Sequence, residues 1–205
     1  MAVEANDKNK FGVILLAAGA STRLGQPKQL LMYGDLTLLD HCIHVAHGSN
    51  ADSIIVVVGA KPHSVNTQVS DKTHIANNVY WQEGMSSSIR LGIKTLAEVD
   101  PLAEGAILMV CDQPYVTSLL LNTLIATHQT TGKPIVASGY DNTFGPPAFF
   151  HKQLFPELMQ LDGDVGAKAV VQQHADEVEL VLFPQGNIDI DTVADYQKLL
   201  KESSA

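Results

Sequence analysis

"LLAAGASTRLGQPKQ", Leu15 to Gln29, is the stretch from which the architecture can be read. An apolar run that begins at Phe11 ("FGVILLA") breaks into small residues and glycines, then presents Arg23 and Lys28 five residues apart. Such a run suits a strand buried on both faces, and in an open parallel sheet ligands gather outside the carboxyl ends of the strands. Gly19 and Gly25 permit close backbone approach, so successive N–H groups can point at phosphate oxygens. Arg23 offers a planar fork and Lys28 a compact point charge, carried on a segment that Pro27 stiffens. The loop is neither the G-x-x-x-x-G-K-[ST] nor the G-x-G-x-x-G fingerprint. Its ordinary alternative is a surface loop with incidental charges.

Working outward, "SIIVVVG" (Ser53 to Gly59) and "GAILMVCD" (Gly105 to Asp112) are two more buried-strand runs, with helical patterns at Leu38 to His47, Ser86 to Ala97 and Ser118 to His128. This alternation predicts an α/β fold with a mostly parallel sheet and helices on both sides. Further strands are expected in "KPIVAS", "PPAFF" and "VELVLF", and helices near Lys152 to Gln160 and Gly166 to His174. A last helix is expected to be capped by Asp191 or Thr192. The 205 residues fit one domain, expected over 11–202 after a flexible stretch at 1–10.

A formal net charge of −9 argues against an extended nucleic-acid or anionic-membrane surface, so an anionic ligand must be held locally. Cys42 and Cys111 match no metal-ligand spacing and are expected as buried thiols. The polar start and the lack of a long apolar run predict a cytoplasmic protein.

"CDQP" (Cys111 to Pro114) ends a buried strand with a carboxylate, which suits Mg²⁺ ligation or, equally, a helix N-cap. "DIDT" adds Asp189 and Asp191, either further carboxylates for the same ion or a cap for the last helix. In "WQEGMSSSIRLGI" the three serines can cap a helix, or its exposed start can read a base or ribose edge. His41, His44 and His47 fit a solvated helix face, and Ser21 lacks the surroundings of a nucleophile elbow.

Taken in order, "LLAAGASTRLGQPKQLL", "GMSSSIRLG", "CDQP", "GPPAFF", "GDVGAK" and "DIDT" resemble the molybdopterin nucleotidyltransferase family, and within it the molybdenum cofactor cytidylyltransferases. The resemblance implies a Rossmann-like three-layer nucleotidyltransferase fold, Mg²⁺, and transfer of CMP from CTP to the terminal phosphate of molybdopterin. A recipient molybdoenzyme or its chaperone is implied as a further partner. By position, Ala17, Ala18 and Gly19 would hold base and phosphates through the backbone. Arg23 and Lys28 would grip the triphosphate, Asp112 and Asp191 the metal, and Gly84 with Ser88 the cytidine. Gly145, Asp164 and Lys168 fall on the pterin side, where Lys168 stands in place of a common arginine and Pro146 in place of a more polar residue. Ala18 favours CTP, because the guanylyl-transferring branch usually carries glycine there.

The chemistry agrees with the residues. A phosphate monoester, with a second pKa of about 6, needs no deprotonating base, so no catalytic histidine is expected. A sugar-phosphate nucleotidyltransferase and a non-catalytic nucleotide-binding accessory protein are the other readings.

Overall fold

The computed structural model describes residues 9–19, 21, 24–59 and 70–202. The expected flexible segment at 1–10 therefore falls mostly outside the described residues, and Lys10 already opens the first strand. Nine strands are formed among the described residues: β1 (Lys10–Ala17), β2 (Met32–Tyr33), β3 (Leu36–Thr37), β4 (Ser53–Val58), β5 (Thr73–Asn77), β6 (Ala103–Val110), β7 (Ile135–Tyr140), β8 (Thr143–His151) and β9 (Val178–Leu182). The helices are α1 (Leu38–His47), α2 (Met85–Val99), α3 (Ser118–Thr131), α4 (Phe155–Leu158), α5 (Lys168–Gln173) and α6 (Val193–Glu202).

Seven of these strands make one sheet in the order β5-β4-β1-β6-β8-β7-β9. Every adjacent pair is parallel except the two that involve β8, which runs against both β6 and β7. The chain thus forms a three-layer α/β fold with a mostly parallel central sheet. The apolar runs are uniform because both faces are covered. Leu39, Cys42 and Ile43 of α1 pack with Leu121 and Leu124 of α3 on one side. Ile89, Ile93 and Leu96 of α2 pack with Leu158, Val170 and Val171 on the other. Each fully buried aliphatic side chain contributes about 1.5–3 kcal/mol relative to exposure.

Departures from the sequence reading have physical causes. β5 went unrecognised because it is an edge strand in which only Thr73 and Ala76 are buried. Gly145, Pro146 and Pro147 lie inside β8 rather than in a turn. The prolines are tolerated where the register against β7 shifts at Ala137/Ser138, and the Ser138 hydroxyl donates to the Pro147 carbonyl at 2.7 Å. The three histidines do not share a solvated face. The His41 Nε2 is 3.0 Å from the Pro114 carbonyl and His47 Nε2 is 2.8 Å from Thr73 Oγ1, which leaves His44 as the exposed one. Both cysteines are free and buried, and burial raises both thiols, Cys111 to about 12. Among the described residues no helix is long and apolar enough to cross a membrane.

A buttress joins α4 to the segment after α5. The ring nitrogens of His174 lie 2.9 Å from Glu177 and 2.8 Å from Glu157, and these two hydrogen bonds raise its pKa above the usual 6.5. A raised folded pKa means that the stabilisation is complete below the unfolded value and lost as pH rises through the folded one. Thermal melts should therefore show His174→Gln losing more Tm near about pH 5.5 than near about pH 8.5. Equal losses at both pH values would mean that the bridge carries no charge.

Candidate active site

β1 and β6 end side by side, Leu16 paired with Val110, so the chain beyond each strand emerges at the same place on the sheet edge. β4 lies on one side of β1 and β6 on the other, which makes this the point where the strand order reverses. After β1 the chain bends through Ser21, at φ 52°, and its hydroxyl accepts from the backbone N–H of Lys28 at 2.9 Å. Ser21 therefore holds the loop closed and is engaged as a structural group. Pro27 leads into a short 3-10 turn, Lys28–Leu30, which aims the lysine inward.

The Lys28 ammonium donates to Asp112 Oδ2 at 2.7 Å and to Asp191 Oδ1 at 2.8 Å, with only 14% of its side chain exposed. Asp112 is not spent on a helix cap. Thr117 caps α3, accepting from Leu120 N at 3.2 Å. Thr192 and Asp195 cap α6 reciprocally, with Thr192 N donating to Asp195 Oδ2 at 2.8 Å and Asp195 N to Thr192 Oγ1 at 3.2 Å. The two acidic segments are tied by their backbones, Ile190 N to Asp112 O at 2.9 Å. Burial opposes the charge on Lys28, but Asp112 and Asp191 outweigh it and its pKa is raised, so the lysine is a fixed cation and not a base. Asp189 is pushed upward by burial and by the neighbouring charges of Asp112 and Asp191.

These groups open into a cavity of about 530 Å³ lined by Ala18, Gly19, Lys28, Gly84, Ser88, Asp112, Asp164 and Asp191. Trp81, Gln29 and Met85 also line it, and none of the three was singled out from the sequence. Trp81 sits in the "WQEG" segment, where an aromatic before a glycine-led helix was the available signal. Ala17 does not line the cavity: its side chain is in the core on the α1 side. Arg23 lies outside the described residues.

The helix α2 points its N-terminus at this cavity, but its serines are not an exposed reading edge. Ser86, Ser87 and Ser88 are at most 5% exposed. The side-chain amide of the buried Asn78 donates to Ser87 at 2.8 Å and to Ser88 at 2.9 Å, and Ser86 Oγ donates to the Gly163 carbonyl at 2.7 Å. Gly84 itself begins the helix at φ 105°, and a Cβ there would stand 2.4 Å from the Gly163 backbone, so only glycine lets the two segments touch. What the helix start offers a ligand is the positive end of its dipole, because the Ser86 N–H is taken by the Gly163 carbonyl at 3.2 Å and the Ser87 N–H by the Gly84 carbonyl at 3.3 Å.

A second cavity of about 290 Å³ adjoins the first and shares Leu16, Met85, Val110 and Asp164 with it. Gly145, Asp164 and Lys168 line it, together with Phe144, Pro146 and Phe150, so its walls are largely apolar. Asp164 does not cap α5, whose N-cap is Ala167. Lys168 is exposed, 3.2 Å from Thr143 Oγ1 and 5.1 Å from the centre of the Phe144 ring.

The donor set fits a divalent cation. Asp112 and Asp191 already converge on one cation, and Asp112 Oδ1 is buried with no hydrogen-bond partner. Three carboxylates and one ammonium are among the described lining residues of the larger cavity, so added positive charge would favour the entry of a polyphosphate.

A family model described as the MobA-like NTP transferase domain matches residues 13–178. The chain is 26% identical over 204 residues to the purine catabolism protein PucB of Bacillus subtilis (strain 168), covering 93% of this chain and 96% of that one. The crystal structure of Rv0371c from Mycobacterium tuberculosis H37Rv superposes with a TM-score of 0.79 at 32% identity, over 94% of this chain and 98% of that one. A complex of Rv0371c with manganese aligns at a TM-score of 0.75 and 30% identity, over 94% and 99% of the two chains.

Proposed function

Because the chain belongs to the MobA-like NTP transferase domain family and is a nucleotidyltransferase of that type, we propose that it moves CMP from CTP to the terminal phosphate of molybdopterin, releasing pyrophosphate. The observation that carries this reading is the Lys28 ammonium held between Asp112 and Asp191 at the mouth of a cavity of nucleotide size. Asp112 and Asp191 would hold Mg²⁺, for which the manganese complex of Rv0371c offers a parallel in that protein. Bound there, the ion would neutralise charge on the phosphates.

An oxygen of the acceptor phosphate attacks the α-phosphorus of the nucleotide, and the bond to the β-phosphate oxygen breaks. The acceptor is already anionic, so no residue need take a proton. Lys28 is permanently charged and, once released from the carboxylates, moves onto the phosphates and neutralises the leaving pyrophosphate, with Arg23 as its expected companion. The N-terminus of α2 supplies the positive end of its dipole, and Gly84, Ser88 and Trp81 frame the nucleoside end. The smaller cavity, with apolar walls and Lys168 at its rim, takes the acceptor. Such walls suit the face of a fused ring and offer little to the hydroxyls of a sugar phosphate.

Nucleotide choice rests on Ala18, whose carbonyl is pressed against Gly59: a Cβ there would stand 2.6 Å from the oxygen. With its backbone pinned in this way, the methyl group narrows the cavity wall. Ala18→Gly should raise the ratio of kcat/KM for GTP over CTP by about tenfold, the scale of one methyl group in a fitted pocket. An unchanged ratio places selection elsewhere. The test of the whole reading is a panel of the four nucleotides with molybdopterin, followed by pyrophosphate release; no release with any pair overturns it.

A further inference from the structure

The segment from Leu161 to Gly166 carries Asp164 into the wall shared by the two cavities, and Leu161 packs against the core on the α2 side. Its backbone bonds are short-range, Val165 N to Asp162 O and Ala169 N to Gly166 O. Among the described residues, the hydrogen bonds that tie it to a sequence-distant element all come from α2. Ser86 donates to the Gly163 carbonyl from its backbone N–H at 3.2 Å and from its hydroxyl at 2.7 Å. One turn later, Arg90 Nη1 donates to the Leu161 carbonyl and to Ser86 Oγ at 3.2 Å, while Nη2 lies 3.5 Å from Glu83. Arg90 thus holds the loop and also the serine that holds the loop.

Arg90 lines neither of the two site cavities. It sits on the far side of the wall, by a small surface hollow beside Asn78 and Tyr80. What it fixes is the position of Asp164, one of the four residues common to both cavities, and of Gly166 to Lys168 beyond it. We propose that Arg90 is a positioning residue for the acceptor: through Leu161 and Ser86 it sets where the shared wall stands, and hence how the acceptor phosphate meets the nucleotide. This rests on the proposed function, whose acceptor occupies the smaller cavity.

The planar fork is essential to the role, because it reaches two acceptors and a carboxylate in fixed directions, which a single ammonium does not. Removing it leaves a carbonyl at a partly solvated loop, where water can replace the donor, so the fold should survive while the wall loosens.

The test compares Arg90→Ala and Arg90→Lys with wild type by hydrogen exchange of the 161–167 amides, CTP binding with Mg²⁺ by calorimetry, and steady-state kinetics with molybdopterin. Arg90→Ala is expected to exchange in that segment about tenfold faster while β1 and β6 are unchanged. It should also raise the acceptor KM about tenfold and leave CTP affinity within about twofold. Arg90→Lys should recover part of both effects. Unchanged exchange overturns the proposal, as does faster exchange without a KM change, which is the behaviour of a merely structural tether. A loss of CTP affinity equal to the acceptor effect overturns it too. If wild type turns over no acceptor, it is the proposed function that fails, and this proposal then falls with its acceptor term whatever the exchange shows.

Discussion

Asp112→Asn lowers the rate of pyrophosphate release by about 10³-fold, the scale of losing a preorganised group that stabilises charge in the transition state. The replacement keeps the size of the side chain and removes one of the charges that converge on the cation position. The buried Oδ1, which has no hydrogen-bond partner, becomes part of a neutral amide. The fold should be retained. The structural bond of this residue is its backbone carbonyl to Ile190 N at 2.9 Å, and α3 is capped by Thr117. Rates measured across a Mg²⁺ series, with a thermal melt on the same sample, check both halves. A near-normal rate at low Mg²⁺ removes Asp112 from the site, and collapse of the melt with the rate makes it a structural residue.

Lys28→Ala carries the second large effect, and its two parts have opposite signs. Turnover falls by about 10² to 10³-fold, because a fixed cation is lost where the pyrophosphate departs. Binding of Mn²⁺ without nucleotide becomes tighter, on the order of tenfold, because wild-type Lys28 already occupies the two carboxylates and competes with the ion. The variant should melt at a lower temperature in a chelator, since two partly buried carboxylates then face each other, and recover more on adding Mg²⁺ than wild type does. Calorimetry with Mn²⁺ alone and melts with and without Mg²⁺ read this out. Equal or weaker Mn²⁺ binding in the variant means that lysine and metal do not share a place.

The parts of the fold written in local composition could be read from the chain. β1, β4 and β6 are apolar on both faces, so their runs are continuous. β5, half exposed at the edge, carries no such signal, and the antiparallel course of β8 is set by its partners. The hairpin before β8 did leave a trace: Asp141 and Asn142, at φ 45° and 58°, are residues that tolerate the left-handed region a tight turn requires. At the site, Lys28 and Asp112 could be singled out one by one, from a stiffened loop and a strand end, whereas Asp191 lies in the segment before α6 and not at a strand end. That they form two ion pairs sharing one ammonium is a property of three distant segments meeting. The same holds for the serines of α2, whose hydroxyls are taken by Asn78 and Gly163, partners that no spacing within "GMSSS" reveals.

The pairing of Lys28 with Asp191 spans 163 residues of chain, against 84 for its pairing with Asp112. Closing so long a loop yields nothing until the intervening sheet exists, so this contact belongs to the end of folding. During synthesis, the glycine loop, β6 and Asp112 leave the ribosome while the chain still lacks the carboxylate that completes the grip. A half-made protein therefore has the loop and a cavity wall but only one of the two carboxylates. The pairing with Lys28 is completed when the segment leading into α6 docks, with Ile190 bonded to Asp112 and Leu199 packed among Leu24, Leu31 and Leu38. The elements that follow β9 thus complete the grip on Lys28 only after the sheet they dock on has been built.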